Sequence, residues 1–197
     1  MADPWAAVVL AGGAARRLGG SDKVMLPVAG TPIVLRVLTA VVDARPRIVV
    51  GPSTLRRKLP IDVVLTSEDP AGGGPVAATA AGLTAVPGGT EYIALLGGDL
   101  PFLSSEAVSL LRMTAIHSTV DGALFVDSGG RRQLLCGMWR VAALRDRLAD
   151  LGDPGGVAMR QFVEPLRIAE VTWPAVAAPP WYDCDTEADL RHAQEMG

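Results

Sequence analysis

The 197-residue chain is 49% hydrophobic and only 20% charged, a composition that builds a packed core and excludes a disordered polymer. A net charge of −3 argues against a general nucleic-acid binder, which presents a broad basic face. The N-terminal MADPW lacks a basic stretch running into an apolar one, and the apolar IVLRVLTAVV at 33–42 is short and broken by Arg36. The expectation is a cytoplasmic protein with no membrane span.

In chain order, short Val/Ile/Leu runs alternate with helix-period stretches. Strands are expected at Ala6–Leu10, Arg47–Val50, Val63–Thr66, Tyr92–Leu96 and Gly122–Val126. These runs show little alternation, as strands of a parallel sheet buried on both faces do. Helices are expected at Pro32–Val42 with Thr31 as its cap, at Val76–Ala85, and at Ser105–His117 behind Ser104. DSGGRRQLLCGMWR at 127–140 reads as a Gly-turned hairpin. Helices follow at Val141–Leu151 and around Gly156–Val163, then a strand near Leu166–Val171. A Pro-rich surface loop at 173–183 leads to a closing amphipathic helix, Glu187–Glu195. Strand–helix alternation implies an α/β three-layer sandwich, and no linker divides residues 1–197 into more than one domain. Cys136 and Cys184 show no CxxC spacing and read as buried or half-buried thiols in a reducing cytoplasm. His117 and His192 sit near helix ends and read as surface residues.

VVLAGGAARRLGGSDK at 8–23 is the first stretch that carries chemistry. A buried parallel strand delivers its following loop to the carboxyl edge of the sheet, where ligands bind in such folds. Glycines there let backbone N–H groups approach a ligand, while Arg16, Arg17 and Lys23 add positive charge. Together they suit a polyphosphate. The loop is neither a Walker A loop nor a GxGxxG fingerprint.

Three further stretches have the same character. EDPAGGGPVAATAAGL at 68–83 places an acid before a Gly-Pro turn that opens a helix with small side chains. A carboxylate at Asp69 accepts two N–H bonds from a base edge, and guanine offers such a pair. ALLGGDLPFL at 94–103 ends an apolar strand in the single carboxylate of Asp99, well placed to hold Mg²⁺ bridging nucleotide phosphates. WYDCDTEADL at 181–190 offers Asp185 or Thr186 as the cap of the last helix. Arg131, Arg132 and Gln133 read as part of a solvated hairpin, with a phosphate contact on the acceptor side of the cleft as the alternative.

LAGGAARRLGGSDK resembles the signature of the nucleotidyltransferases typified by molybdenum cofactor guanylyltransferase. The resemblance implies a mostly parallel, Rossmann-like sheet of the nucleotidyltransferase type. It assigns nucleotide contacts to the backbone of Leu10, Ala11, Gly12 and Gly13, and phosphate contacts to Lys23. It implies that Asp69 and the Gly74–Pro75 turn, through Ala77, sit against guanine, and that Asp99 is a Mg²⁺ ligand. Related sugar and isoprenoid nucleotidyltransferases use a D-x-D-T run in the metal site, which brings in Asp185, with Asp183 as the alternative. Val76, Ala78 and Gly51 depart from the guanylyltransferase pattern, as do Asp183 and Asp185 where asparagines are usual. Lys23, Arg17 and Asp99 are the expected catalytic residues, with Arg16 beside them. GTP, molybdopterin and other molybdenum cofactor biosynthesis proteins are the implied partners. The expected reaction is transfer of GMP from GTP to the terminal phosphate of molybdopterin, releasing pyrophosphate. A cytidylyltransferase, a nucleotidyltransferase for another phosphorylated acceptor, and a non-catalytic nucleotide-binding protein on the same fold are the alternatives.

Overall fold

A computed structural model describes residues 4–12, 23–69, 71–174 and 176–196. Its centre is a seven-stranded sheet. Strand β1 (Trp5–Leu10) lies between β4 (Arg47–Val50) and β6 (Tyr92–Gly97), parallel to both, with Val9 level with Val49 and Leu96. Beyond β4 lies β5 (Val63–Thr66), again parallel. On the other side the order continues through β8 (Arg132–Arg140), β7 (Gly122–Val126) and β9 (Ile168–Val171). Among these seven strands only β8 runs against the rest, because it returns from β7 as a hairpin and then inserts between β7 and β6.

The two faces of β1 explain its unbroken apolar run. Ala7 and Val9 face one layer of helices, α1 (Ile33–Ala40) and α3 (Ser105–Ile116). Ala6, Val8 and Leu10 face the other, formed by α2 (Pro75–Thr84), α4 (Val141–Leu151) and α5 (Met159–Val163). The small residues of α2 have a packing reason: a Cβ on Gly82 would lie 2.4 Å from Val8 Cγ1. The sandwich is therefore α/β/α, as the alternation of elements implies.

Ser104 caps α3 by accepting the Ala107 amide at 3.2 Å. Thr31 does not cap α1. Pro32 occupies the cap position, and Thr31 instead pairs with Val28 in a two-residue ladder, β2 (Pro27–Val28) with β3 (Thr31–Pro32). Local sequence favoured the cap; the ladder consumes the backbone that a capping Thr31 would need. The last helix, α6 (Glu187–Met196), closes over this ladder, burying Cys184 and Ala193 against Val28 and Ile33. Both cysteines are free and buried.

Candidate active site

The carboxyl ends of β1 and β6 lie side by side, and the chain crosses itself there. Ala11 donates its amide to Val50 at 2.8 Å, and Leu10 accepts the Gly98 amide at 2.9 Å. Leu10 and Ala11 are buried by these contacts, whereas Gly12 is exposed at the edge of the sheet. Gly13, Arg16 and Arg17 lie outside the described residues. A Cβ at Gly98 would stand 3.1 Å from the Leu10 carbonyl oxygen and 3.3 Å from Ala11 Cα, so the crossing leaves no comfortable room for a side chain. At Gly97 the obstacle is Asp99 itself, with its Oδ1 2.7 Å from where a Cβ would be. Gly97 thus clears the space in which Asp99 stands, and Gly98 lets this loop lie against the end of β1.

Lys23 opens a short 3₁₀ turn, Lys23–Met25, and reaches back to the same point. Its Nζ lies 2.6 Å from Asp99 Oδ2 and 2.5 Å from Asp185 Oδ1. Burial disfavours the ammonium, but the pull of Asp99 and the hydrogen bonds to Asp185 and Asp99 outweigh it and hold the lysine pKa above its usual value. Asp185 is available for this because Thr186 serves as the helix cap. The Thr186 hydroxyl accepts the Asp189 amide at 3.2 Å, and Asp189 Oδ2 accepts the Thr186 amide at 2.7 Å.

Two contacts that sequence reasoning missed hold these segments together. Arg36 on α1 donates through Nε to the Pro101 carbonyl at 2.8 Å and through Nη1 to the Val28 carbonyl at 3.3 Å. It therefore ties the loop after Asp99 to the ladder that follows Lys23. The Cys184 amide donates to the Asp99 carbonyl at 3.3 Å, fastening the Asp183–Asp185 segment to the same loop. Arg36 had one local signal, a charge inside an otherwise apolar helix. Cys184 acts through its backbone and had none.

On the far side of β1, Asp69 is exposed after β5, and the neighbouring Glu68 accepts the Gly72 amide at 2.9 Å to shape the turn. Gly74 has a φ of +90°, open to glycine, and precedes Pro75 at the first position of α2. No side chain caps that helix at Gly74. Gly82 and Ala78 are buried toward the sheet.

On the hairpin side, the two adjacent arginines part company. Arg132 pairs with Glu170 at 2.8 Å, while Arg131 and Gln133 line a cavity together with Asp183 and Asp185. His117 and His192 are exposed, as expected.

Residues 7–171 match the family described as the MobA-like NTP transferase domain. The chain belongs to this family. It is a nucleotidyltransferase. The chain is 30% identical over 195 residues to a molybdenum cofactor guanylyltransferase of Bradyrhizobium sp. (strain ORS 278), covering 96% of this chain and 91% of that protein. In fold it resembles molybdopterin-guanine dinucleotide biosynthesis protein A from Archaeoglobus fulgidus, with a TM-score of 0.74 at 17% identity over 96% of each chain. It resembles equally the 2-C-methyl-D-erythritol 4-phosphate cytidylyltransferase from Thermus thermophilus, with a TM-score of 0.73 at 20% identity over 98% of each chain.

Nucleotidyltransferases of this family commonly use a divalent metal. The donor set fits one: two carboxylates, Asp99 and Asp185, converge on a single point marked by the Lys23 ammonium. Burial, then repulsion from Asp185 and Asp99, raises the Asp183 pKa. Among the described residues no three His, Cys, Asp or Glu side chains group to hold a metal by themselves.

Proposed function

We propose that this nucleotidyltransferase transfers GMP from GTP to the terminal phosphate of molybdopterin and releases pyrophosphate, working in the cytoplasm as one domain over residues 1–197. The observation that carries the reading is the Lys23 ammonium held between Asp99 and Asp185 at the carboxyl edge of the sheet. The names of its relatives support the choice of guanine nucleotide and acceptor.

An oxygen of the acceptor phosphate attacks the α-phosphorus of GTP in line; one P–O bond forms and the bond to pyrophosphate breaks. The acceptor is already an anion, so no strong general base is needed. Asp99 and Asp185 would hold Mg²⁺, which supplies charge neutralisation for the phosphate oxygens when bound. Lys23, raised in pKa and therefore cationic at neutral pH, neutralises phosphate charge from a fixed position, with Arg16 and Arg17 contributing from the opening loop. Gly12 and Gly13 bring backbone donors to the nucleotide, and Leu10 and Ala11 anchor that approach. Asp69, with the Gly74–Pro75 turn, receives the base edge.

Calorimetric titration with GTP, CTP, ATP and UTP, with and without Mg²⁺, tests this reading. Selective, Mg²⁺-dependent GTP binding is the expected result. Preferential CTP binding moves the assignment to the cytidylyl branch, and binding without turnover on any phosphorylated acceptor leaves a nucleotide-binding protein.

A further inference from the structure

We propose that the cavity between the β7–β8 turn and residues 179–185 holds the acceptor, with Arg131 as the residue that binds its phosphate. The proposal rests on the nucleotidyl-transfer reading above and adds a binding site for the second substrate.

The cavity measures about 350 Å³ and is lined by Arg131, Gln133, Trp181, Tyr182, Asp183 and Asp185, among others. Asp185 also receives Lys23 Nζ at 2.5 Å, so the cavity opens directly onto the candidate reaction centre. A molecule seated there lies next to Asp185, the carboxylate that receives Lys23.

The hairpin decides which arginine faces it. Side chains alternate across a strand, so Arg131 and Gln133 share one side while Arg132 lies on the other and pairs with Glu170. Asp127 fixes the turn: its Oδ1 accepts the Gly129 and Arg131 amides, each at 2.9 Å. Gln133 Nε2 donates to Asp127 Oδ2 and to the Arg131 carbonyl, each at 3.2 Å. The backbone of Arg131 is therefore held in place before any ligand arrives.

Three carboxylates, Asp127, Asp183 and Asp185, line the cavity, and among the described residues that line it Arg131 is the one cation. A phosphate entering there meets like charge from the acids, and the Arg131 guanidinium is the group that offsets it. Trp181 and Tyr182 add an aromatic side to the lining, braced from behind. Trp181 lies 5.3 Å, centroid to centroid, from the buried Phe125, and Tyr182 lies 5.6 Å from Phe102. Such a wall suits the flat ring of a phosphorylated heterocycle.

The experiment measures GMP transfer to molybdopterin extracted from a purified molybdenum enzyme, together with calorimetric GTP binding, for the wild type and for Arg131→Ala, Arg131→Lys and Arg132→Ala. Arg131→Ala is expected to raise the KM for molybdopterin about tenfold or more, the size of a lost charge-assisted contact, with GTP affinity unchanged. Arg131→Lys recovers part of the loss, because the charge remains and the fork does not. Arg132→Ala behaves as wild type. An unchanged molybdopterin KM in Arg131→Ala, or a matching loss of GTP affinity, overturns the proposal. A wild-type protein that binds no GTP, or transfers nothing to molybdopterin, overturns the function reading itself and this proposal with it.

Discussion

Lys23 and Asp185, 162 residues apart in the chain, meet at 2.5 Å. Their contact closes a ring of three segments, since Lys23 also reaches Asp99 and the Cys184 amide binds the Asp99 carbonyl. The charged partners are unequally exposed: the Lys23 and Asp99 side chains are 16% and 25% accessible, and Asp185 is 68%. Lys23 and Asp99 form the fixed half of the site, and Asp185 closes it from the solvent side.

Replacing Lys23 by Ala should reduce nucleotidyl transfer roughly a hundredfold or more, the range for a preorganised electrostatic contact. Asp99→Ala should abolish turnover. Steady-state kinetics, with circular dichroism to show the fold intact, checks both. Near-wild-type rates in either variant would remove that residue from the reaction centre.

Gly97→Ala tests the space around Asp99. The added methyl falls 2.7 Å from Asp99 Oδ1, so the carboxylate that pairs with Lys23 must shift. Transfer activity should drop toward that of Asp99→Ala. Unchanged kcat and KM would show that Asp99 tolerates the displacement.

The pH dependence of stability has a specific contributor in Asp121. Arg167 donates to its carboxylate from Nη2 at 2.9 Å and Nε at 3.2 Å, and the Arg167 amide adds a third bond at 2.9 Å. These hydrogen bonds, with the side-chain ones foremost, hold its pKa below the usual carboxylate value. A depressed folded pKa means stability that is present above the unfolded value of about 4 and lost as pH falls through the folded value. Thermal melts should show Asp121→Asn less stable than wild type at neutral pH, with the gap closing in acid. A gap that persists unchanged in strong acid would rule out the ionised carboxylate as its source.

Neither thiol should react in the native protein at neutral pH. Burial, and then the charge of Asp99, pushes the Cys184 thiol up to about 12, and burial raises Cys136 further. The nucleophilic thiolate is therefore scarce at both. Iodoacetamide should leave the folded protein unmodified and label both cysteines in denaturant. Rapid labelling of the folded form would show that α6 opens readily, because Cys184 lies beneath it.

How much of this was legible in the chain depends on whether the information was local. Strands Arg47–Val50 and Gly122–Val126 form where their apolar runs predict, because strands covered on both faces must be apolar throughout. Val63–Thr66 forms where expected as well, but as an edge strand with Val64 exposed. Ser104 behaves as a cap for the same local reason. Thr31 misleads, since its residue type suits a cap and only its pairing with Val28 assigns it to a ladder.

The sequence by itself determined the alternation of elements, hence the α/β/α layering, and the placing of Asp99 at the end of an apolar strand. It also marked Lys23, as a cation in the loop that a buried parallel strand delivers to the sheet edge. Only the tertiary structure decided between Asp185 and Thr186 as cap, and between Arg131 and Arg132 as the residue that lines the cavity. It alone inserted β8 between β7 and β6, and set Arg36 and Cys184 to bind the site's loops together. Those outcomes depend on which distant backbone carbonyl or carboxylate comes within hydrogen-bond reach, and pairings of such sequence separation leave no local pattern to read.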